Sequence, residues 1–275
     1  MPSTSCRRLA LFVVALAAGS CARGGSASLP FDGARPLTLE SVKQGKAPTP
    51  KELEQIVAAV VDVAGGAERL RRLRWRRVDD LYLAHPADPL GNNVLCTIAL
   101  RPDESVTTRL EYRSGFVERR VRFRGEEYFQ PRDGTLTLLT GAAQQYVEWD
   151  WEVARLPVLL TEAAALEPLA PRVVDGRTLV GMKVDVADLN PKFEAWVDLS
   201  GPMIVEVRAV LPIAGGFSTK TDVIQLQRFS DFRRVGGVLF PFRRHLEVDG
   251  ERFGLAETRT VELDVDLKDE EFLQK

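Results

Sequence analysis

Apolar and polar residues alternate along this chain with two different periods. In residues 49–66 the apolar side chains recur at i, i+3, i+4, i+7 and i+8, which is the spacing of one buried helix face. Thr49 and Glu52 have the spacing of a capping box around a proline at the first helical position. The pattern predicts a helix that begins after Thr49 and ends at Gly65 and Gly66.

From Trp75 onward the apolar residues recur at every second position, which predicts β-strands. Turn residues separate successive runs as far as residue 130, and alternation returns from residue 177. Gly236–Gly237 and Asp249–Gly250 have the sequences of two-residue hairpin turns. In runs such as FVERRVRF (116–123) one face is apolar and the other carries Arg and Glu. We therefore expect a sheet with one solvated side.

Residues 148–170 (EWDWEVARLPVLLTEAAALEPLA) interrupt the alternation. Ala and Leu predominate there and Pro157 can open a helix, so we expect one or two short helices. At the end of the chain, residues 266–275 predict a short closing turn with Phe272 packed back on the sheet. No alternation of strand, helix and strand occurs. The sequence therefore predicts one mainly β (α+β) domain over residues 49–275.

The N-terminus has the features of an export signal. Arg7 and Arg8 precede ten apolar residues, too few for a helix that needs about 20 residues to cross a bilayer. Small residues then lead to Cys21. Either an ordinary peptidase cuts near this point, or Ala18-Gly19-Ser20-Cys21 is a lipobox and the Cys21 thiol is acylated. We favour lipidation of Cys21, which predicts a signal peptide over 1–20 and a flexible tether over 21–48.

Composition and charge exclude several classes of function. Loss of residues 1–20 removes Arg7 and Arg8 and no acidic residue, so the formal charge changes from −2 to −4. This net charge does not favour nucleic-acid binding. With Cys21 acylated and Cys6 removed, Cys96 remains alone and no internal disulfide can form.

The sequence offers little support for catalysis or metal binding. His85 and His245 are the only histidines, and neither lies in a nucleophile motif or a metal-ligand cluster. We expect no enzyme activity, no metal and no cofactor. Asp79–Asp80 and the acidic residues of 264–271 are interpreted as solvated surface. The arginine-rich runs at 69–77 and 119–124 are interpreted as a salt-bridged solvated face, with anionic lipid head groups or an acidic partner as the alternative.

Large aromatic residues are spread over most of the predicted domain. On inward faces they either fill a closed core or line a cavity that accepts acyl chains, and the pattern leaves both open. The candidate cavity residues are Trp75, Tyr112, Phe123, Trp149, Trp151, Trp196, Phe240 and Phe242.

Two stretches resemble a known family. Residues 60–80 (VVDVAGGAERLRRLRWRRVDD) resemble the opening of the outer-membrane lipoprotein-sorting (Lol) carriers and receptors. Residues 229–272 resemble that family's last hairpins, with GGVLFPFR, a DG turn, VELDVDL and a closing DEEF. The strands at 173–186 and 193–210 fit the family's central pair. The resemblance covers roughly residues 55–272 and carries no individual functional residue over.

This resemblance implies an incomplete antiparallel β-barrel wrapped around the N-terminal helix and the inserted helical segment. It implies an apolar cavity that binds the acyl chains of a lipid or lipoprotein. Together with the lipobox it predicts a lipid-anchored protein on the periplasmic face of the outer membrane, with a role in lipid or lipoprotein trafficking. The alternatives are a structural or envelope-assembly lipoprotein with a closed core and no ligand, and a hydrolase.

Overall fold

The computed structural model describes residues 35–85, 88–103, 105–115, 117–123, 125–130, 137–187, 189–212 and 222–273. The predicted signal peptide, Cys21 and the first part of the predicted tether lie outside the described residues. The helices are α1 (Glu40–Lys43), α2 (Pro50–Ala64), α3 (Ala67–Arg72), α4 (Gly141–Val153), α5 (Leu156–Glu162) and α6 (Glu270–Leu273).

Strands account for most of the remaining described residues. The first block is β1 (Trp75–His85), β2 (Asp88–Leu100), β3 (Val106–Tyr112), β4 (Val117–Phe123), β5 (Glu126–Gln130) and β6 (Thr137–Leu138). The second block, after α5, is β7 (Ala163–Pro168), β8 (Arg172–Val174), β9 (Arg177–Val186), β10 (Phe193–Asp198), β11 (Met203–Pro212), β12 (Asp222–Val235), β13 (Val238–Val248) and β14 (Glu251–Leu263).

The 14 strands form one antiparallel sheet with two free ends. Its order is β6-β5-β4-β3-β2-β1-β14-β13-β12-β11-β10-β9-β7, with β8 also paired to β9. The first and last described strands of this order, β6 and β7, are not paired with each other. Residues 235–238 and 248–251 close the two predicted hairpins. The mainly β, incomplete-barrel prediction is confirmed.

The helix predicted at the start of the domain is confirmed as α2. The Thr49 side chain accepts a hydrogen bond from Glu52 N, and the Glu52 side chain accepts one from Thr49 N. At the other end Gly65 has a φ of 132°, a conformation that favours glycine. These local signals fix both ends of the helix, and its buried face then packs on the sheet.

The inserted segment lies against the same face of the sheet as α2. Trp149 of α4 packs in the cluster formed by α2, α5 and strands β9–β11. Trp151, two residues later, packs in the cluster formed by β1, β2, β3 and β13. Helix α4 therefore bridges the two halves of the sheet, and α2, α4 and α5 define its inner face.

The boundaries of the inserted helices differ from the sequence-based expectation. Helix α4 begins at Gly141, seven residues before the predicted start. Pro157 lies in the first turn of α5 as predicted, but that helix ends at Glu162. The alanine-rich residues that follow form the edge strand β7, because pairing with β9 outweighs their helix propensity.

The solvated side predicted for the β4 region was assigned to the wrong face. Val121 and Phe123 face outward, where α6 covers them and Phe272 stacks on Phe123 at 6.1 Å. Arg120 and Arg122 face inward against α4. The predicted packing of Phe272 is confirmed, since its side chain is fully buried. A short C-terminal helix thus turns the apolar outer face into a small second core.

The described part of the predicted tether, residues 35–48, lies on the domain. Leu37 N donates a hydrogen bond to Leu199 O, and Leu39 is buried in the main core. Ser41 N donates to Glu52 Oε1 at 3.1 Å, which connects this segment to the start of α2. The chain from Leu37 onward is therefore packed with the barrel.

Candidate functional site

An apolar cavity of about 260 Å³ lies between the inner face of the sheet and helices α2, α3 and α5. We call it the Trp75 cavity. Trp75 and Phe240 form one wall and meet edge to face, with ring centroids 6.1 Å apart. Other lining residues are Val60, Val153, Leu156 and Ile204.

A second cavity of about 270 Å³ lies farther along the same inner face. We call it the Asp150 cavity. Its walls combine apolar residues of β1–β3 with Trp151 and the polar side chains of Tyr146 and Asp150 from α4. Arg244 lines both cavities. The two spaces thus meet at a charged group.

The eight aromatic residues singled out in the sequence are distributed over several environments. Trp75 and Phe240 line the Trp75 cavity, whereas Tyr112 and Trp151 line the Asp150 cavity. Two others, Trp149 and Phe242, are buried in the inner-face clusters without lining either cavity.

The other two candidates lie on the outer face of the sheet. Phe123 packs under α6, and Trp196 packs with Leu179 and Val205 beneath the Arg172 guanidinium. The structure therefore does not bring Phe123 or Trp196 to either cavity. Period-two alternation shows that each of these residues lies on a buried face of its strand. It does not show whether that face is the inner or the outer face of the half-barrel.

A buried ion triad separates the apolar parts of the two cavities. Asp79 is fully buried, and its Oδ2 lies 3.0 Å from Arg77 Nε and 2.8 Å from Arg244 Nη2. Thr258 Oγ1 donates a hydrogen bond to Asp79 Oδ1 at 2.8 Å. The interpretation of Asp79 as solvated surface was wrong, because its side chain points inward with Trp75 and Arg77. Its neighbour Asp80 faces outward and pairs with Arg259.

The triad carries more positive than negative charge. Burial and the neighbouring Arg244 lower the pKa of Arg77. Arg77 and Arg244 lower the pKa of Asp79, against the opposing effect of burial. Since Asp79 is therefore ionised at neutral pH, two guanidinium groups face one carboxylate in a largely water-excluded layer.

The Asp150 cavity contains a further polar group of residues. Arg120 lies 2.7 Å from Glu118 Oε1 and 3.7 Å from Asp150 Oδ2. Burial raises the pKa of Asp150, and Arg120 opposes that shift. Burial also raises the pKa of Tyr146. These side chains join β4 to α4 by charge as well as by packing.

Charged side chains also surround the Trp75 cavity at its rim. Arg71 Nη2 donates to Thr161 Oγ1 at 3.0 Å, which joins α3 to α5. Arg155 Nη1 lies 3.1 Å from Glu152 Oε2, at the junction of α4 and α5. Arg101 pairs with Asp103 and Asp269. The rim is thus built from ion pairs and hydrogen bonds around an apolar interior.

Other titratable groups form no second site in the described ranges. His245 is half-buried, and burial together with Arg252, Arg243 and Arg228 lowers its pKa. The side chain of His85 lies outside the described residues. Over the parts of the chain that the structure covers, no three His, Cys, Asp or Glu residues are grouped to hold a metal ion. No described helix is both long and apolar enough to cross a membrane.

Comparison with solved structures places this architecture among known folds. A LolA superfamily protein from Nitrosomonas europaea matches with a TM-score of 0.55 at 14% identity, covering 80% of this chain and 97% of that one. A domain from Vibrio parahaemolyticus named as an outer membrane lipoprotein-sorting protein domain matches with a TM-score of 0.53 at 9% identity, covering 81% of this chain and 95% of that one. The chain has the LolA-superfamily fold.

A third structure extends the comparison to a protein with another family description. A DUF1329 family protein from Desulfovibrio piger matches with a TM-score of 0.52 at 11% identity, covering 81% of this chain and 96% of that one. No protein-family model matches the sequence, and no curated protein matches it. The LolA fold is thus shared with these proteins at sequence identities too low to carry over individual residues.

Proposed function

We propose that this protein binds the acyl chains of a lipid or lipoprotein inside its half-barrel, as part of lipid or lipoprotein trafficking in the periplasm. The observation that carries this proposal is the Trp75 cavity, an apolar space of about 260 Å³ enclosed by the sheet and helices α2, α3 and α5. The LolA fold, shared with a lipoprotein-sorting domain, supports it.

The chemistry of the walls suits an acyl chain. Trp75, Phe240 and Ile204 present hydrocarbon surface, and each methylene group moved out of water contributes about 0.8 kcal/mol. Even ten buried methylene groups would then contribute roughly 8 kcal/mol before the entropic cost of binding. An acyl chain would thus gain enough free energy in this space for stable binding.

Binding without catalysis is part of the proposal. A hydrolase needs a nucleophile and a base within hydrogen-bond reach in one cleft. The titratable groups of the cavity walls are arginines, Tyr112, Tyr146, Asp150, Glu162 and Cys96. Burial raises the pKa of Cys96 to about 12. That thiol is a poor nucleophile at neutral pH.

Lipidation of Cys21 at the outer membrane is the second part of the proposal. It rests on the small residues that end the apolar run at Cys21 and on the segment between Cys21 and Leu37. This segment can separate the domain from a membrane surface. Replacement of Cys21 by Ser should release the protein from the membrane fraction. Retention of the Cys21→Ser protein in that fraction would contradict lipid anchoring.

Native mass spectrometry after extraction in mild detergent tests the binding proposal. We expect a co-purified mass in the range of a lipid, and uptake of a fluorescent fatty-acyl probe once that lipid is removed. A protein that carries no lipid and takes up no acyl probe would instead match the alternative of a closed-core envelope protein.

A further inference from the structure

The inner faces of β1 and β13 change from apolar to charged at the same level of the barrel. On β1 the order is Trp75, Arg77, Asp79 and then Leu81, and on β13 Phe240 is followed by Phe242, Arg244 and Leu246 on one face. A charged layer therefore lies at the end of the apolar Trp75 cavity, where that cavity meets the more polar Asp150 cavity. A lipid likewise has a polar group at the end of an apolar chain.

Three guanidinium nitrogen atoms in this layer form no hydrogen bond within the described part of the protein. They are Nε and Nη2 of Arg77, which is 3% exposed, and Nε of Arg244. Arg77 Nε lies 3.0 Å from Asp79 Oδ2 as an ion-pair contact. A buried polar group without a partner destabilises the folded protein, and a charged one does so more strongly. The two arginines are therefore suited to donate to an acceptor that enters the cavity.

Charge also favours an anion at this place. Asp79 is the acidic member of the triad. Its oxygens accept hydrogen bonds from Arg244 and Thr258, and it forms an ion pair with Arg77. One positive charge of the triad is thus not neutralised by Asp79. Asp150 interacts electrostatically with Arg120 and, across the Asp150 cavity, with Arg244. Neither Asp150 nor Glu162, at the cavity rim, pairs with Arg77 in the described structure.

We propose that the half-barrel selects anionic lipids, with a carboxylate or phosphate head group bound by Arg77 and Arg244 and the acyl chain in the Trp75 cavity. This inference rests on the proposed function and names the ligand class for the same site. Arginine suits both head groups, because its planar guanidinium donates two parallel hydrogen bonds to either anion. The side chain of Arg244 is 18% exposed, so the layer is accessible from solvent.

Matched ligand pairs on the full-length protein test this selection. Palmitate and methyl palmitate have the same chain and differ in charge, as do 1-palmitoyl lysophosphatidate and monopalmitoylglycerol. In displacement of a fluorescent acyl probe, we expect the charged member of at least one pair to bind with an at least tenfold lower Kd than its neutral partner. The pair that shows this preference identifies the head group as carboxylate or phosphate.

Substitution of Arg77 by Met tests the assignment of the residue. Arg77→Met leaves Asp79 paired with Arg244, and we expect it to weaken anion binding at least tenfold while neutral lipids bind within about threefold of wild type. Arg259→Met is the matched control, because Arg259 pairs with Asp80 on the outer face. If Arg77→Met does not fold, the ligand pairs on the unchanged protein still decide the question.

The outcomes separate this inference from the function on which it rests. Equal binding of charged and neutral ligands by the wild-type protein would overturn anion selection and leave acyl-chain binding intact. Anion preference that persists in a folded Arg77→Met protein would overturn the role of Arg77. No binding of any of the four ligands would overturn both proposals.

Discussion

Arg122 of β4 and Glu152 of α4 form a largely buried ion pair, with Nη1 2.6 Å from Oε1. The Arg122 guanidinium also lies over the Trp151 ring at 5.2 Å, and its Nε donates to Glu127 at 2.9 Å. One arginine thus connects the β4–β5 end of the sheet to the helix that packs in both inner clusters. Together with the hydrogen bond from Trp151 Nε1 to Thr108 Oγ1, this contact holds α4 against the strands that line the cavities.

Removal of Glu152 should therefore destabilise the fold. Glu152→Ala leaves Arg122 buried with one fewer partner, and we expect a loss of about 3 kcal/mol in the free energy of unfolding. Asp80→Ala, which breaks the exposed pair with Arg259, should cost less than about 1 kcal/mol. Urea denaturation of both variants measures the difference. Equal losses would show that the Arg122–Glu152 pair does not anchor α4.

Gly181 on β9 lies directly under the Trp196 ring. A Cβ atom at this position would be 2.8 Å from the ring carbons, which is closer than such atoms approach in proteins. Gly181→Ala should therefore cost about 1–3 kcal/mol of stability through overpacking.

Replacement of the tryptophan provides the control for Gly181. In a Trp196→Leu background the ring is gone, so adding Gly181→Ala should cost at least about 1 kcal/mol less than in the wild-type protein. Thermal or urea unfolding of the four proteins completes a double-mutant cycle. If Gly181→Ala lowers the free energy of unfolding equally in the wild-type and Trp196→Leu proteins, the Trp196 ring is not the source of the overpacking.

Cys96 should be unreactive in the folded protein. Its side chain is buried on β2, and burial together with the charge of Asp79 raises its pKa to about 12. The thiolate is the reactive form, so iodoacetamide at pH 8 should label Cys96 at least a hundredfold more slowly in the native than in the urea-unfolded protein. A Cys6→Ser, Cys21→Ser protein isolates this residue. Similar rates in both states would contradict its burial.

Glu52 makes the capping box of α2 pH-dependent. Hydrogen bonds from the backbone of Thr49 and Ser41 lower the pKa of Glu52 to about 2, below the value of about 4.3 for an unfolded chain. A depressed pKa in the folded state contributes stability that is present above the unfolded value and lost as pH falls towards 2. Glu52→Gln should thus be less stable than wild type at pH 6, with a difference that shrinks steadily below pH 4.5.

Unfolding free energies at a series of pH values measure this dependence. Glutamine preserves the shape of the capping side chain. The difference in free energy of unfolding between wild type and Glu52→Gln therefore reports the contribution of the charge. A stability difference between the two proteins that stays constant from pH 6 to pH 2.5 would contradict the proposed titration of Glu52.

Local signals predicted several elements because they depend on neighbours in sequence. The capping box at Thr49, the terminating Gly65 and the turns at Gly236–Gly237 and Asp249–Gly250 each satisfy backbone groups within a few residues. The alternation after Trp75 likewise predicted strands correctly. These features gave the mainly β class, and the family resemblance added the incomplete barrel.

Long-range pairing explains what the sequence did not predict. Alternation divides β4 into an apolar face with Phe123 and a charged face with Arg122, but only α4 and α6 decide which face is inside. Residues 163–168 have alanine-rich helix propensity and become a strand because β9 offers an unpaired edge. The start of α4 at Gly141 was missed because its helical pattern of apolar residues is weak.

The sequence does carry a signal for the charged layer of the candidate site. Arg77 and Asp79 follow Trp75 at intervals of two, so the same alternation that placed Trp75 inside also places them inside. Their partner Arg244 shares a face with Phe240 and Phe242 in the same way. Contact between the charged side chains of β1 and β13, however, depends on both strands pairing with β14. The alternation does not predict that strand order.

Acyl-chain binding in a variant with a filled cavity tests the central claim most directly. Ala154 lines the Trp75 cavity, and Ala154→Trp adds a bulky ring there, whereas Ala170→Trp adds the same ring at an exposed position. We predict that uptake of a fluorescent fatty-acyl probe falls at least tenfold for Ala154→Trp and stays near wild type for Ala170→Trp. Equal uptake by a folded Ala154→Trp protein and the wild type would contradict ligand binding in this cavity.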